Sequence, residues 1–483
     1  MLATKTILFF SFAYIGLLFA IAYYGDKKAD AGKSIISNPY IYALSLAVYC
    51  TAWTFYGSVG RAVATGPNFL TIYLGPTLMI ALSWFVLRKI IRISKTYHIT
   101  SIADFIASRY GKSTTLGGLV SVIAVIGIVP YISIQLKAIS KSFLILTSQP
   151  TSVAKIPLFT DTAFYVAVAL AVFSILFGTR HLDDTERHEG LVAAIAFESV
   201  MKMAAFIAVG IFVTFGIFNG FGDLVQQATA LPNAENIFRI SKEPGAYVNW
   251  GFQIFVSMMA ILFLPRQFQV AVVENVNEEH LNKAMWLFPL YLIAINIFVL
   301  PVAVGGLLHF PGDLIDPDTY VLSLPMSQEQ PVLTLLVFLG GMSAATGMVI
   351  VETIALSTMI CNELVMPILL RFQPSKLTER GDLSSLLLGI RRSSIAMVLL
   401  LGYIYLRLTG EFYPLVSIGL LSFVAVTQFA PSILGGIFWK GATRSGALWG
   451  LTVGFGIWVY TLFLPYLIHG GMLPETFITK GPF

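Results

Sequence analysis

Charge is what this chain lacks most. Only 11% of its 483 residues are Asp, Glu, Lys or Arg, against 57% hydrophobic, whereas a soluble domain carries roughly 25% charge. That excludes a string of water-soluble domains and makes lipid the solvent for most of the chain; the mean hydropathy is +0.80. Cysteine is nearly missing. Cys50 and Cys361 both lie in apolar runs, which excludes a disulfide framework or a cysteine-based zinc site. Histidine is scarce as well, and the nearest approach to a ligand pair, His181 with His188, has no recognised metal spacing. No metal or organic cofactor is expected. A nucleophile–base arrangement, a glycine-rich phosphate loop and a Glu/His metal helix are also absent, so an enzymatic reading of this chain has no support. The formal charge of +5 is divided among short connections, not gathered on a folded face, which speaks against a nucleic-acid partner.

What is present is a series of long apolar segments. Twelve read as membrane spans, at roughly 6–24, 41–59, 69–87, 116–146, 163–178, 189–218, 250–268, 286–304, 333–368, 393–407, 414–433 and 447–468. The first is longer than a signal-peptide core and runs into Asp26-Lys27-Lys28, which reads as a signal anchor. With the N-terminus outside, the loops after spans 1, 3, 5, 7, 9 and 11 hold 3, 6, 2, 2, 5 and 2 basic residues, a total of 20. Arg266 is counted with the loop after span 7. The outer side holds 7: Lys5, Arg61, Lys155, Arg239, Lys242, Arg407 and Lys480. This positive-inside asymmetry predicts a multi-pass protein of the bacterial inner membrane with its N-terminus outside. In the third loop, Ser101-Ile-Ala-Asp104 is a capping box opening a short helix closed by Gly111. Ile102, Phe105 and Ile106 share one face, which predicts a helix lying along the membrane surface. Pro474 to Phe483 reads as an outward-facing segment, as if a thirteenth span and a cytoplasmic region followed.

Spans 2 and 7 are unlike the rest. Span 2 has a polar, aromatic centre from Tyr49 to Gly57, and span 7 is short and meets Pro265-Arg266-Gln267. Two interrupted spans five apart fit a pair of five-helix repeats, spans 2–6 (41–218) and 7–11 (250–433). Transporters with inverted repeats bind substrate where the first helix of each repeat unwinds. Ordinary glycine and proline kinks would leave the same trace.

Thr51-Ala-Trp53, Thr71-Ile-Tyr-Leu-Gly75 and Ser101-Ile-Ala-Asp-Phe105 with Arg109-Tyr-Gly111 resemble the sodium/solute symporter family, which includes the proline permease and sodium/sugar carriers. The resemblance covers essentially the whole chain. It implies an all-α integral membrane protein with the five-plus-five inverted-repeat (LeuT-like) fold, one extra N-terminal span and at least one extra C-terminal span, in a single domain, 1–483. Gly178-Thr-Arg-His-Leu-Asp183, Glu189-Gly-Leu-Val192 with Ala196-Phe-Glu-Ser199, Leu264-Pro-Arg-Gln-Phe268 with Val273-Glu-Asn275, and Trp286-Leu-Phe-Pro289 resemble a subfamily in which a symporter-like module is fused to a sensor histidine kinase. That implies nutrient sensing, a kinase region downstream of Phe483 and a response regulator as partner. The family's sodium site uses carbonyls of span 2, here Ala47 and Cys50, and two hydroxyl side chains of span 9. The latter register falls on Gly347 and Met348, with Ala344 and Thr346 beside them and Ser343 nearby; Tyr49 stands where the proline permease has an aspartate. A site without side-chain oxygens holds sodium poorly, so protons rather than sodium are the expected coupling ion.

Five ionisable residues fall inside spans: Lys137, Lys141, Glu198, Lys202 and Glu352. Such residues are expensive in lipid and mark function by default. Glu198 and Lys202 are spaced to pair on one face of span 6, as a structural pair or a proton relay. Lys137 and Lys141 share a face of span 4 and are long enough to snorkel. Glu352 sits mid-span with no local partner, as a proton binder or a hydrogen-bonded structural acid. Substrate contact is expected from Trp53, Thr54, Tyr56, Gln135, Ser257 and Pro265; the last two match positions on the substrate-contacting face of span 7 in the proline permease. The chain therefore reads as a module that binds and transports a small polar nutrient, an amino acid or short carboxylate, and signals to a kinase. A non-transporting receptor and a stand-alone sodium symporter remain the rival readings.

Overall fold

The computed structural model describes residues 3–147, 157–178, 188–230, 237–240, 244–310, 312, 315–372, 383–409 and 414–469. The motif residues Thr179 to Asp183 and the segment Pro474 to Phe483 lie outside the described residues. Every regular element among those described is helical. Nine of these helices are long and apolar enough to cross a bilayer: Thr4–Asp30, Thr114–Leu146, Glu189–Ile217, Ala246–Phe263, His280–His309, Pro331–Phe372, Ser384–Thr409, Leu415–Phe438 and Arg444–Ile468. Pro39–Tyr49 and Thr162–Gly178 are shorter apolar helices; span 3 is the helix Thr71–Ala81, and a basic helix, Leu87–Tyr97, follows it. The chain is a multi-pass membrane protein.

Burial sorts these helices into a core and a periphery. The apolar stretches of span 9 and span 4 are 83% and 72% buried, against 22% for span 1 and 17% for span 12. Spans 4 and 9 thus carry the centre of the bundle, while spans 1 and 12 lie against it from outside. In lipid there is no hydrophobic drive between helices, so close approach depends on small residues. Gly75 of span 3 lets span 7 in so closely that a Cβ there would lie 2.1 Å from Ser257 Oγ, 2.5 Å from the Ile254 carbonyl and 2.7 Å from the Met258 nitrogen. At Gly341 of span 9 the Tyr56 hydroxyl occupies the space of a side chain, 2.0 Å from where a Cβ would stand.

Two local expectations meet different outcomes. The forward half of the capping box forms, Ser101 accepting from the Asp104 N–H, while the Asp104 carboxylate accepts from Thr100 N–H at 3.1 Å, one residue before the N-cap. The apolar face of the helix Ile102–Arg109 meets protein instead of lipid, with the Phe105 ring against Phe268. Ile102, Phe105 and Ile106 are buried because protein covers that face: Tyr110 donates to the Ser432 carbonyl at 2.8 Å and Arg109 to Gly436. The connection after span 7 is clamped to the helix Leu87–Tyr97 by ion pairs. Arg92 holds the Glu278 carboxylate side-on, Nε at 2.6 Å and Nη2 at 2.9 Å, and Arg88 adds a contact at 3.1 Å. The two guanidinium groups hold the Glu278 carboxyl down to about 2.

Gly75→Ala is expected to destabilise the protein by about 1–3 kcal/mol, the range for overpacking a tight contact. Besides the Ser257 hydroxyl it meets the Ile254 carbonyl and the Met258 nitrogen, backbone atoms that cannot rotate away. Thermal unfolding in detergent reads this directly; an unchanged midpoint would mean that spans 3 and 7 are free to part.

Candidate functional site

Span 2 does not cross as one helix. It runs as an α-helix over Pro39–Ser45, tightens to a 3-10 turn over Leu46–Tyr49, and opens at Cys50, whose φ of −79° and ψ of 97° are extended. A wide turn over Trp53–Gly57 restarts it. Each backbone group that the opening strands in hydrocarbon must find a partner or cost several kcal/mol. The Gln135 side chain accepts from Ala52 N–H at 3.1 Å, and Thr51 Oγ1 accepts from Trp53 N–H at 3.3 Å. The stranded carbonyls of Ala47 and Cys50 take a charge: Lys202 Nζ donates to both, at 2.6 Å each.

These are the two carbonyls on which the resemblance places a sodium ion. Here an ammonium on span 6 stands at them, so the expected Glu198–Lys202 pair is replaced by a different arrangement. Lys202 goes to span 2 and Glu198 to span 9, where its Oε1 accepts from Thr346 Oγ1 at 2.6 Å, while Ser343 Oγ donates to the Glu198 carbonyl at 2.9 Å. Gly347, one of the positions expected to carry a hydroxyl, leaves space for the same carboxylate: a Cβ there would lie 2.3 Å from Glu198 Oε2. Ala344 and Met348 are packed in the apolar core. The oxygens missing from span 9 are thus matched by a carboxylate from span 6 and the Thr346 hydroxyl.

Span 7 is broken at Leu264, whose ψ of 132° is extended. Pro265 dictates this, since it disfavours helical geometry in the residue before it and has no N–H to give. The helix resumes over Pro265–Phe268 and widens over Gln269–Val273, so it extends past the expected end at 268. The widened turn frees the Ala271 carbonyl, which accepts from Tyr42 of span 2 at 2.8 Å and ties the two broken helices together.

Arg266 and Glu352 meet each other across the core. Arg266 does not belong to the following loop; it is fully buried because the chain continues across the core after the break. Glu352 is not a lone acid: Arg266 Nη1 donates to its Oε2 at 2.7 Å, with both side chains 0% exposed. The guanidinium also lies over the Tyr131 ring, 4.5 Å from its centroid, and the Tyr131 hydroxyl is 3.0 Å from Thr51 Oγ1 in the opening of span 2. Arg266, Tyr131 and Gln267 were not picked out from sequence. A signal for Arg266 existed: it follows a proline and, with Gln267, precedes Phe268 to Val273, a stretch apolar apart from Gln269.

The other expected site residues separate into groups. Trp53 packs beneath Phe423, ring centroids 4.9 Å apart, and beside Tyr131 at 6.1 Å. Thr54 is buried in the same turn. Gln135 braces the opening, and Pro265 begins the second half of span 7. Ser257 is elsewhere, in the contact between spans 3 and 7, where its hydroxyl donates to the Thr71 carbonyl at 2.9 Å. Tyr56 lines a small cavity of ≈ 20 Å³ with Lys137, Lys141, Asp316 and Asp318, space for about one water. Lys141 pairs with Asp316. Asp318, in the connection between spans 8 and 9, is pushed up to about 6 by burial and then by its neighbour Asp316.

Because folding raises the Asp318 carboxyl above its ordinary 3.8, its contribution to stability is complete below pH 3.8 and is lost as pH rises through about 6. Relative to D318N, the wild-type unfolding midpoint is expected to fall across that window; parallel curves for the two proteins would remove Asp318 as the titrating group. For the buried pair, Glu352→Gln is expected to cost about 3–5 kcal/mol, since it strands a desolvated guanidinium, and the double variant R266Q/E352Q to recover part of that loss. Unfolding in lipid nanodiscs measures both, and a harmless single substitution would contradict the pairing.

No family model matches the chain. Among curated proteins it is 25% identical over 429 residues to the uncharacterized symporter YhjB of Bacillus subtilis (strain 168), spanning 87% of this chain and 80% of that one. It is 23% identical over 430 residues to the uncharacterized symporter YodF of the same organism, spanning 87% and 78%. Among solved structures it resembles a Na+-coupled sialic acid symporter in its substrate-bound outward-open state, with a TM-score of 0.68, 14% identity and coverage of 97% of this chain and 95% of that one. It also resembles MhsT in complex with L-phenylalanine, with a TM-score of 0.52, 15% identity and coverage of 90% and 97%. The fold is therefore the all-α, five-plus-five LeuT-like architecture that the two broken helices announced.

Proposed function

We propose that this chain is a symporter-like module of the bacterial inner membrane, N-terminus outside, that binds a small polar nutrient between the openings of spans 2 and 7. It moves that nutrient by alternating access, coupled to protons and not to sodium. The solute is an amino acid or a short carboxylate. Support for transport comes from curated relatives that bear the name symporter across 87% of the chain and from two discontinuous helices meeting at the centre of the bundle.

The observation that carries the coupling reading is the Lys202 ammonium on the Ala47 and Cys50 carbonyls. A lysine supplies the positive charge these carbonyls attract, but it is tethered and cannot diffuse away as sodium does. The only way to remove its charge is to remove its proton. Glu198, one turn earlier on span 6, is a carboxylate through which that proton can pass. Loss of the charge would loosen span 6 from span 2, as departure of an ion would. The likeness to a Na+-coupled symporter favours sodium as the second reading. The signalling role rests on the motifs shared with kinase-linked modules and is tested by the reading frame after Phe483: a phospho-acceptor histidine region supports it, and a stop codon removes it.

Uptake of labelled acetate, L-proline and L-histidine into proteoliposomes separates these readings. Replacing sodium by N-methylglucamine should leave uptake unchanged, and collapsing an inward proton gradient should reduce it. Lys202→Ala is expected to abolish the response to the proton gradient. Strict sodium dependence of the wild type would refute proton coupling, and binding without uptake under any gradient would leave a receptor instead of a carrier.

A further inference from the structure

We propose that Arg266 is the anchor for a carboxylate group on the solute, so that the module selects carboxylates over neutral molecules. The inference rests on the transport reading above and names the class of substrate that its site takes.

Arg266 is fully buried, yet only part of its guanidinium is used. Nη1 holds Glu352, whereas Nε and Nη2 carry no hydrogen bond. Those two nitrogens are the side-on fork that grips a carboxylate with two parallel bonds. Elsewhere in this protein Arg92 uses that same fork on Glu278, with both oxygens engaged. A buried guanidinium that leaves its fork open is costly to keep, because an unsatisfied charged donor loses its hydration without return. The polar atoms near it are also unpaired. Gln267, its neighbour in the chain, is fully buried with neither amide atom bonded, and the indole N–H of Trp53 in span 2 is likewise unpartnered. Among these residues four unpartnered donor atoms, Arg266 Nε and Nη2, Gln267 Nε2 and Trp53 Nε1, stand against two unpartnered acceptors, Gln267 Oε1 and Glu352 Oε1, a surplus of donors that suits an anion.

The position is right for a transported solute. Arg266 stands at the break of span 7, stacked on Tyr131, which reaches Thr51 in the opening of span 2. The formal charges of Arg266 and Lys202 cancel those of Glu198 and Glu352, so a monocarboxylate adds one negative charge to a sealed site. A co-transported proton restores the balance, which agrees with proton coupling.

The test is binding to the whole chain in lipid nanodiscs. The probes are acetate, propionate, L-proline and L-histidine, their neutral-carbonyl counterparts acetamide, propionamide, L-prolinamide and L-histidinamide, and D-galactose as a solute without a carboxylate. At least one acid should bind, with its amide at least tenfold weaker. Arg266→Lys keeps the charge beside Glu352 but loses the fork, and should weaken the acid at least tenfold. R266Q/E352Q removes both charges together and should abolish acid binding while its unfolding transition shows it folded. An amide that binds as well as its acid, or either variant binding like wild type, overturns the proposal. Binding of D-galactose alone overturns it but leaves the transport reading standing. A folded chain that binds none of the probes overturns both.

Discussion

A helix opened inside hydrocarbon strands its own backbone, and the centre of this protein is organised around meeting that cost. Where span 2 opens at Cys50, the donors go to Gln135 and Thr51 and the acceptors to Lys202. Where span 7 widens after Pro265, the Ala271 carbonyl goes to Tyr42. In water these groups would simply be hydrated; in lipid they recruit side chains, from other spans for all but the Trp53 N–H, which Thr51 of the same span takes. The partners of the two openings come from spans 2, 4 and 6, which explains why polar residues concentrate in the middle of otherwise apolar helices.

Two buried charge systems then flank the openings, and they differ in what can change. Arg266 retains its charge at any accessible pH, so its pair with Glu352 is a fixed brace between spans 7 and 9 with an unused fork. Lys202 can lose a proton, and its partners are neutral carbonyls that bind only the charged form well. A fixed cation and a removable one in the same core are suited to separate tasks, recognition for the first and coupling for the second. Both assignments remain our proposals; the contacts behind them are those of the structure.

Much of the architecture was written in the chain. Scarce charge and long apolar runs dictated helices in a membrane, because no other open structure satisfies its backbone there. The two interrupted spans were legible because Pro265 and the polar run around Thr51 are local features. The register of Thr51-Ala-Trp53 against a family pattern pointed to the Ala47 and Cys50 carbonyls, and the structure puts Lys202 on them. The capping box at Ser101 was legible for the same reason, being a matter of four consecutive residues.

What the sequence could not assign were partners from other helices. Glu198 and Lys202 sit one turn apart, so spacing alone pairs them, yet the lysine is drawn to stranded carbonyls 152 and 155 residues away. Arg266 followed a proline at the edge of an apolar run and read as a loop charge, and only packing put it opposite Glu352, 86 residues on. Ser257 matched a substrate-facing register but was turned onto span 3 by the close approach at Gly75. Sequence by itself determined which segments cross lipid and where two of them break, since those depend on transfer energy and local backbone geometry. The tertiary structure alone decided which charge meets which, because in a low-dielectric core pairing follows distances that chain order does not encode.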